Sequence, residues 1–196
     1  MKKWLIPLII IGVIVVGLYS WGKGFNNTAV EFEADAKTAW SNVESAYQRR
    51  ADLIPNLVST VRGYAAHEKE TLEGVIKARS EATKTTIDAS NLTAENLDAF
   101  QKAQSGLSGA LSRLLVTVER YPELKADKGF LELQSQLEGT ENRINVERNR
   151  YNEAVNVYDK FTSKFPGMLL ASLFGFEEMP RYKSAPGSEN APKVEF

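Results

Sequence analysis

The chain has 196 residues, 43% hydrophobic and 25% charged, enough for one folded domain with a short appendage and unlike a disordered composition. Its 24 Lys and Arg against 25 Asp and Glu leave a net charge of −1, so no basic field exists to hold phosphates and nucleic acid is not an expected partner. The absence of cysteine removes disulfides, thiolate metal sites and cysteine nucleophiles.

Lys2 and Lys3 precede a run of nineteen uncharged residues, Trp4 to Gly22, within the range that crosses a bilayer as a helix. Trp4 at one end and Tyr19 and Trp21 at the other fit the aromatic belts that settle at both headgroup levels. Pro7 falls in the first turn, where its missing N–H costs little. A cleaved secretory signal is the competing reading. Its small-residue cleavage pattern is poor: Gly22-Lys23-Gly24 is the nearest candidate, and bulky aromatics crowd its approach. The basic N-flank favours an N-terminus in the cytoplasm and the remaining chain outside it.

From Ala36, apolar positions recur in steps of four and three through Trp40, Val43, Tyr47, Ile54, Leu57, Val61 and Tyr64, with Arg50 breaking the series. This predicts a helix over about Asn27 to His67, roughly 60 Å long, with a kink or break at Pro55. A second helix is expected from Glu68 to near Ile87, with Leu72, Val75 and Ile76 inward. Thr93 suits the N-cap of a third, seamed by Leu97, Phe100, Gln104, Leu107, Leu111, Leu114 and Val118 and closed at Pro122. Asp127 suits the cap of a fourth, seamed from Phe130 through Thr140, Ile144, Glu147, Tyr151 and Tyr158 to Phe165, with Pro166-Gly167 as its stop. The expected fold is all-α: an antiparallel up-and-down four-helix bundle with one N-terminal transmembrane helix. An extended self-associating coiled coil is the alternative; Pro55, Pro122 and the breaks between seams favour the bundle. The expected division is an anchor at 1–24, a helical domain at 25–182 and a disordered Pro-, Gly- and Ser-containing tail at 183–196.

Groups for catalysis are scarce. His67 is the single histidine, too few for a paired Glu-x-x-His di-metal site or a two-histidine zinc helix. No Gly-x-Ser-x-Gly elbow and no phosphate-binding Gly-rich loop occurs. No catalytic, cofactor-binding or metal residue is therefore assigned, and no enzyme activity is expected.

The stretch Tyr47-Gln-Arg-Arg-Ala-Asp-Leu-Ile-Pro-Asn-Leu-Val58, continued by Thr60-Val-Arg-Gly-Tyr64 and His67-Glu68, resembles the LemA family. Glu119-Arg-Tyr-Pro-Glu-Leu-Lys125, Leu137-Glu-Gly-Thr-Glu-Asn-Arg-Ile144, Tyr151-Asn-Glu-Ala-Val155, Phe165-Pro166 and Phe174-Gly-Phe176 follow in the family's order. The resemblance implies a four-helix up-and-down bundle on one N-terminal membrane helix, and it supplies no activity.

Two charged seam positions stand out. Counting from the expected helix ends puts Arg50 and Glu147 at similar heights on antiparallel helices, so a core ion pair is one reading. The other is that Arg50 lays its stem over the core and reaches water. Arg49, Asp52, Asn56, Glu141, Asn142, Arg143 and Asn152 form either a polar network or partner surface, or else solvated helix faces. The apolar segment containing Met168, Leu169, Leu170, Leu173, Phe174 and Phe176 is too short to span a bilayer and is a candidate interaction segment. It either rests on lipid beside the anchor, with Glu177 and Glu178 opposing that, or packs on the foot of the bundle or a neighbouring subunit.

The expected role is a non-enzymatic, membrane-anchored scaffold or interaction protein, single-pass in the bacterial inner membrane with its helical domain outside the cytoplasm. Its expected partners are the lipid bilayer, further copies in a homo-oligomer, and an unidentified envelope protein. The alternative is a partner-dependent signalling or regulatory subunit of a membrane protein-quality or proteolysis system.

Overall fold

A computed structural model describes residues 4–183; the flank Lys2-Lys3 and the tail 184–196, for which a cytoplasmic side and disorder were expected, lie outside the described residues. Among the described residues all regular structure is helical: α1 (Leu5–Tyr64), α2 (Lys69–Lys84), α3 (Ala94–Val118), α4 (Pro122–Lys125), α5 (Lys128–Ser163) and α6 (Gly167–Phe174).

The apolar N-terminal run and the first seamed helix are one element. α1 holds 60 residues, about 90 Å of unbroken helix, and passes through the expected domain boundary at 24/25 without interruption. It also continues through Pro55, where a kink or a brief break was expected; the break does not occur. The reason lies on α2. Pro55 has no N–H for the carbonyl of Ala51, one turn earlier, and the Arg79 Nε donates to that oxygen at 2.7 Å instead. A hydrogen bond missing within α1 is replaced from its neighbour.

The turn chemistry follows the local sequence. Thr93 Oγ1 accepts from the backbone N–H of Asn96 at 3.1 Å and caps α3, and Asp127 Oδ1 accepts from that of Phe130 at 2.8 Å and caps α5. α2 ends at Lys84, short of the expected Ile87. Ile87 is buried all the same, because the indole N–H of Trp40 donates to its carbonyl at 3.2 Å and draws the loop onto α1. Ile76, expected to face inward, is exposed: Leu72, Val75 and Ala82 make the buried edge of α2. Tyr64 is also exposed and donates from its hydroxyl to Asp127 at 3.0 Å.

Contacts fix the helix directions. α5 runs antiparallel to α1: Phe25 stacks on Phe161 at 4.8 Å, Trp40 meets Tyr151 edge-on at 5.5 Å, and Arg50 reaches Glu141. α2 descends along α1, and α3 rises beside it with Phe100 against both Trp40 and Tyr47. The most extensive pairings are α1 with α5 and α2 with α3.

Three apolar clusters lie along this axis. The far cluster contains Ile54, Leu57, Val61, Leu114 and Phe130; the middle one contains Trp40, Val43, Leu97, Phe100 and Tyr151; a small one at the foot contains Phe25, Ala29 and Ala171. Each follows the four-three spacing of its helices, which directs one stripe of side chains inward.

Candidate functional site

Two places combine unusual chemistry with defined geometry: a polar layer between the far and middle clusters, and the foot where the apolar run leaves the domain.

Arg50 is the hub of the polar layer and is 3% exposed. Its guanidinium donates to Gln104 Oε1 at 2.8 Å, Ser108 Oγ at 3.0 Å and Glu141 Oε2 at 2.9 Å, and lies over the Tyr47 ring at 5.0 Å. Gln104 is buried too. Its amide donates to the Ala82 carbonyl at 3.2 Å, an oxygen left without an in-helix donor where α2 ends. One set of bonds thus ties α1, α2, α3 and α5 at a single height. A buried cation is tolerated only with such partners, because leaving it unpaired costs several kcal/mol.

Glu147 does not pair with Arg50, as one sequence reading expected, although both are buried. Its Oε1 accepts from Arg143 Nε at 2.7 Å and from Arg150 at 3.0 Å, both neighbours on α5, while the other carboxylate oxygen has no protein donor. The helix register explains the difference. Trp40 sits against Tyr151 and Arg50 against Glu141, so each step up α1 matches one down α5. Counting from assumed helix ends placed α5 six residues out, about 9 Å along the axis. The signal that pointed to Arg50's true neighbour was another polar seam residue, Gln104.

The remaining family-like polar residues divide by position. Glu141 serves Arg50, and Arg143 serves Glu147. Asn152 pairs its side-chain amide with the backbone of Tyr182, accepting at 2.9 Å and donating at 3.2 Å. Arg49, Asp52, Asn56 and Asn142 are exposed.

Asn152 belongs to a clamp that the sequence did not disclose. After α6 the chain turns back along α5 from Gly175 to Lys183. The Tyr158 hydroxyl donates to the Glu177 carbonyl at 2.9 Å and that of Tyr151 to the Pro180 carbonyl at 2.6 Å. Arg181 donates twice to Asp159, at 2.7 and 3.2 Å. Tyr182 then stacks on Trp40, with Arg148 over its ring at 4.7 Å. Burial raises the phenol pKa of all three tyrosines, that of Tyr158 to about 12, because phenolate would lose its water. The one sequence hint was the Met179–Tyr182 quartet, which carries an aromatic and a methionine beside an otherwise polar end.

Between α3 and α5 a groove of ≈ 480 Å³ opens over Arg50, with Lys102, Ser105 and Arg148 on its walls. In its floor Arg50 and Glu141 are paired with each other, while the buried Arg50 Nε has no protein acceptor. His67 lies exposed in the α1–α2 turn. No group of three metal-ligating His, Asp or Glu side chains gathers among the described residues.

At the foot, every residue from Trp4 to Trp21 is exposed; Trp4 is 82% so, Tyr19 70% and Trp21 42%. α1 is long and apolar enough there to cross a membrane. α6 packs against α1 just above this run. Gly167 abuts Phe25 so closely that an added Cβ would lie 2.7 Å from the ring, and Gly22 faces Phe174. Of the candidate interaction segment, Leu170 and Phe176 turn inward onto the cluster of Phe25, Ala29 and Ala171, whereas Met168, Leu169, Leu173 and Phe174 are exposed.

Comparison with known proteins agrees with these motifs. The LemA family pattern matches residues 39–196. Two magnetosome proteins of Paramagnetospirillum magneticum, MamQ 1 and MamQ 2, are each 27% identical over 180 residues, covering 83% of this chain and 66% of theirs. The protein LemA of Metamycoplasma hominis is 23% identical over 141 residues, covering 71% of this chain and 61% of that one. The chain thus spans about two thirds of the length of these relatives.

Proposed function

Because the chain belongs to the LemA family, we propose that it is a membrane-anchored, non-enzymatic scaffold: an antiparallel up-and-down four-helix bundle held beside the bilayer by α1. The observation that carries this reading is the 60-residue helix α1, whose stretch from Leu5 to Trp21 is wholly exposed and uncharged while the stretch from Phe25 onward is the spine of the core. An uncovered apolar stretch of that size is costly in water and stable in lipid. Trp4, Tyr19 and Trp21 sit at its two ends, where aromatic side chains suit the headgroup layers. The buried network around Arg50 joins four helices through the two terminal guanidinium nitrogens, which suits a structural role.

On this reading the protein is single-pass in the bacterial inner membrane, with the helical domain outside the cytoplasm. It works by contact, with further copies of itself as a homo-oligomer and with an envelope protein. A regulatory subunit is the second reading, and the unbroken passage of α1 from apolar run to core favours it: displacement of the anchor would move the spine of the domain. Cross-linking in intact cells followed by mass measurement tests the proposal. Discrete adducts with the same chain or an envelope protein support it; a chain that stays uncross-linked at native abundance, or turnover of a substrate by the purified protein, overturns the scaffold role.

A further inference from the structure

α6 is eight residues long and carries no charge. Only Gly167 and Ala171 are buried, with Leu170 half-buried, while Met168, Leu169, Leu173 and Phe174 are between 44% and 75% exposed; Phe165, just before the helix, is 79% exposed. Such a face is expensive in water, and its position indicates what covers it. α6 is pinned to α1 at Gly22 and Phe25, where the exposed apolar run ends, so both apolar surfaces meet at one level. Trp21 and Phe165 line the same cleft as Lys160 and Lys164, whose exposed ammonium groups suit lipid phosphates while their stems follow the apolar surface. The acidic pair Glu177 and Glu178 does not oppose this arrangement from below. The two residues border a hollow between α5 and the Met168–Ser172 edge of α6, which Leu169 and Leu173 do not line, and the bonds of Tyr158 to the Glu177 carbonyl and of Asp159 to the Met179 N–H lead the chain on along α5.

We propose that the outer face of α6 is a second membrane contact: Phe165, Leu169, Leu173 and Phe174 sit in the interfacial layer of the bilayer beside α1. This rests on α1 being the anchor. The two contacts together fix the tilt and rotation of the domain, which a single helix would leave free.

The chain has no native cysteine, so single variants can carry a fluorescent NBD group. Leu169→Cys and Leu173→Cys report on α6, Ile10→Cys on the anchor, and Val116→Cys, 72% exposed at the far end of α3, on water. Each labelled full-length chain is placed in phosphatidylcholine–phosphatidylglycerol vesicles containing lipids with a doxyl quencher near the headgroup or near the chain end. The expected result is that probes at 169 and 173 lose about half their emission to the shallow quencher and less to the deep one. The probe at 10 responds most to the deep quencher, and that at 116 to neither. Unquenched probes at 169 and 173 with a quenched probe at 10 overturn the second contact and leave the anchor standing. A probe at 10 that no lipid quenches overturns the anchor itself. Unquenched probes at 169 and 173, together with disulfides between copies when the unlabelled Leu169→Cys and Leu173→Cys chains are oxidised with copper–phenanthroline, instead assign the face to a second copy, which also overturns the proposal.

Discussion

Replacing Arg79 by Met removes the donor that Pro55 makes necessary. The Ala51 carbonyl lies in a residue 3% exposed, and the Arg79 Nε reaches it at 2.7 Å. Losing a charged donor from a buried acceptor costs about 1.5–3 kcal/mol. Arg79 is half-buried, so the lower part of that range is expected. Met keeps most of the aliphatic stem, which confines the change to the hydrogen bond. In a Pro55→Ala background, residue 55 regains an N–H and α1 closes its own bond to Ala51. There the same Arg79→Met substitution should cost less than ~1 kcal/mol, giving a coupling of about 1 kcal/mol or more. Guanidinium unfolding in detergent micelles, followed by far-ultraviolet circular dichroism, measures all four proteins. An equal loss in both backgrounds would refute the account of how α1 tolerates its proline.

The polar layer makes a second test. Arg50→Met should destabilise by about 2–4 kcal/mol because Gln104 and Ser108 lose their buried donor, while Glu141→Gln, at a half-exposed partner, should cost less than ~1 kcal/mol. A double-mutant cycle between Arg50 and Glu147 should give a coupling below ~0.5 kcal/mol, since each has other partners. Gly167→Ala should cost about 1–3 kcal/mol by driving a methyl into the Phe25 ring, and limited proteolysis should then cut the α6 segment faster than in the parent. At high pH the unfolded chain releases the Tyr158 proton near 10, whereas the folded chain holds it to about 12. The folded state therefore binds more protons in that window, and its stability falls as pH rises through it. Tyr158→Phe should make that decline shallower in pH-dependent unfolding; an unchanged slope would count against burial as the cause.

Helix type, caps and inward stripes were legible because they are local. Thr93 and Asp127 announce two starts, and Trp40, Leu107 and Tyr151 fall on the four-three spacing that packing requires. The misplaced features depend on how distant segments meet. The Arg50 partner turned on a register that no single helix encodes, and Trp40 buried Ile87 after its helix had ended. The bond from Arg79 to Ala51 joins residues 28 apart and has no periodic signature. The clamp of Tyr151, Asn152 and Asp159 on the returning chain was hidden because its partners, the Pro180 carbonyl, the Tyr182 backbone and the Arg181 guanidinium, lie on an irregular segment without helical spacing. The apolar segment 168–176 was visible as such, but only the contacts of Gly22 and Gly167 divided its inner from its outer face.

Alkaline carbonate extraction of membranes from cells producing the intact chain tests most directly whether α1 holds the helical domain in a bilayer. Retention of the full-length protein in the membrane pellet is the predicted result. Its release into the supernatant, with residues 4–22 still attached, would contradict the account.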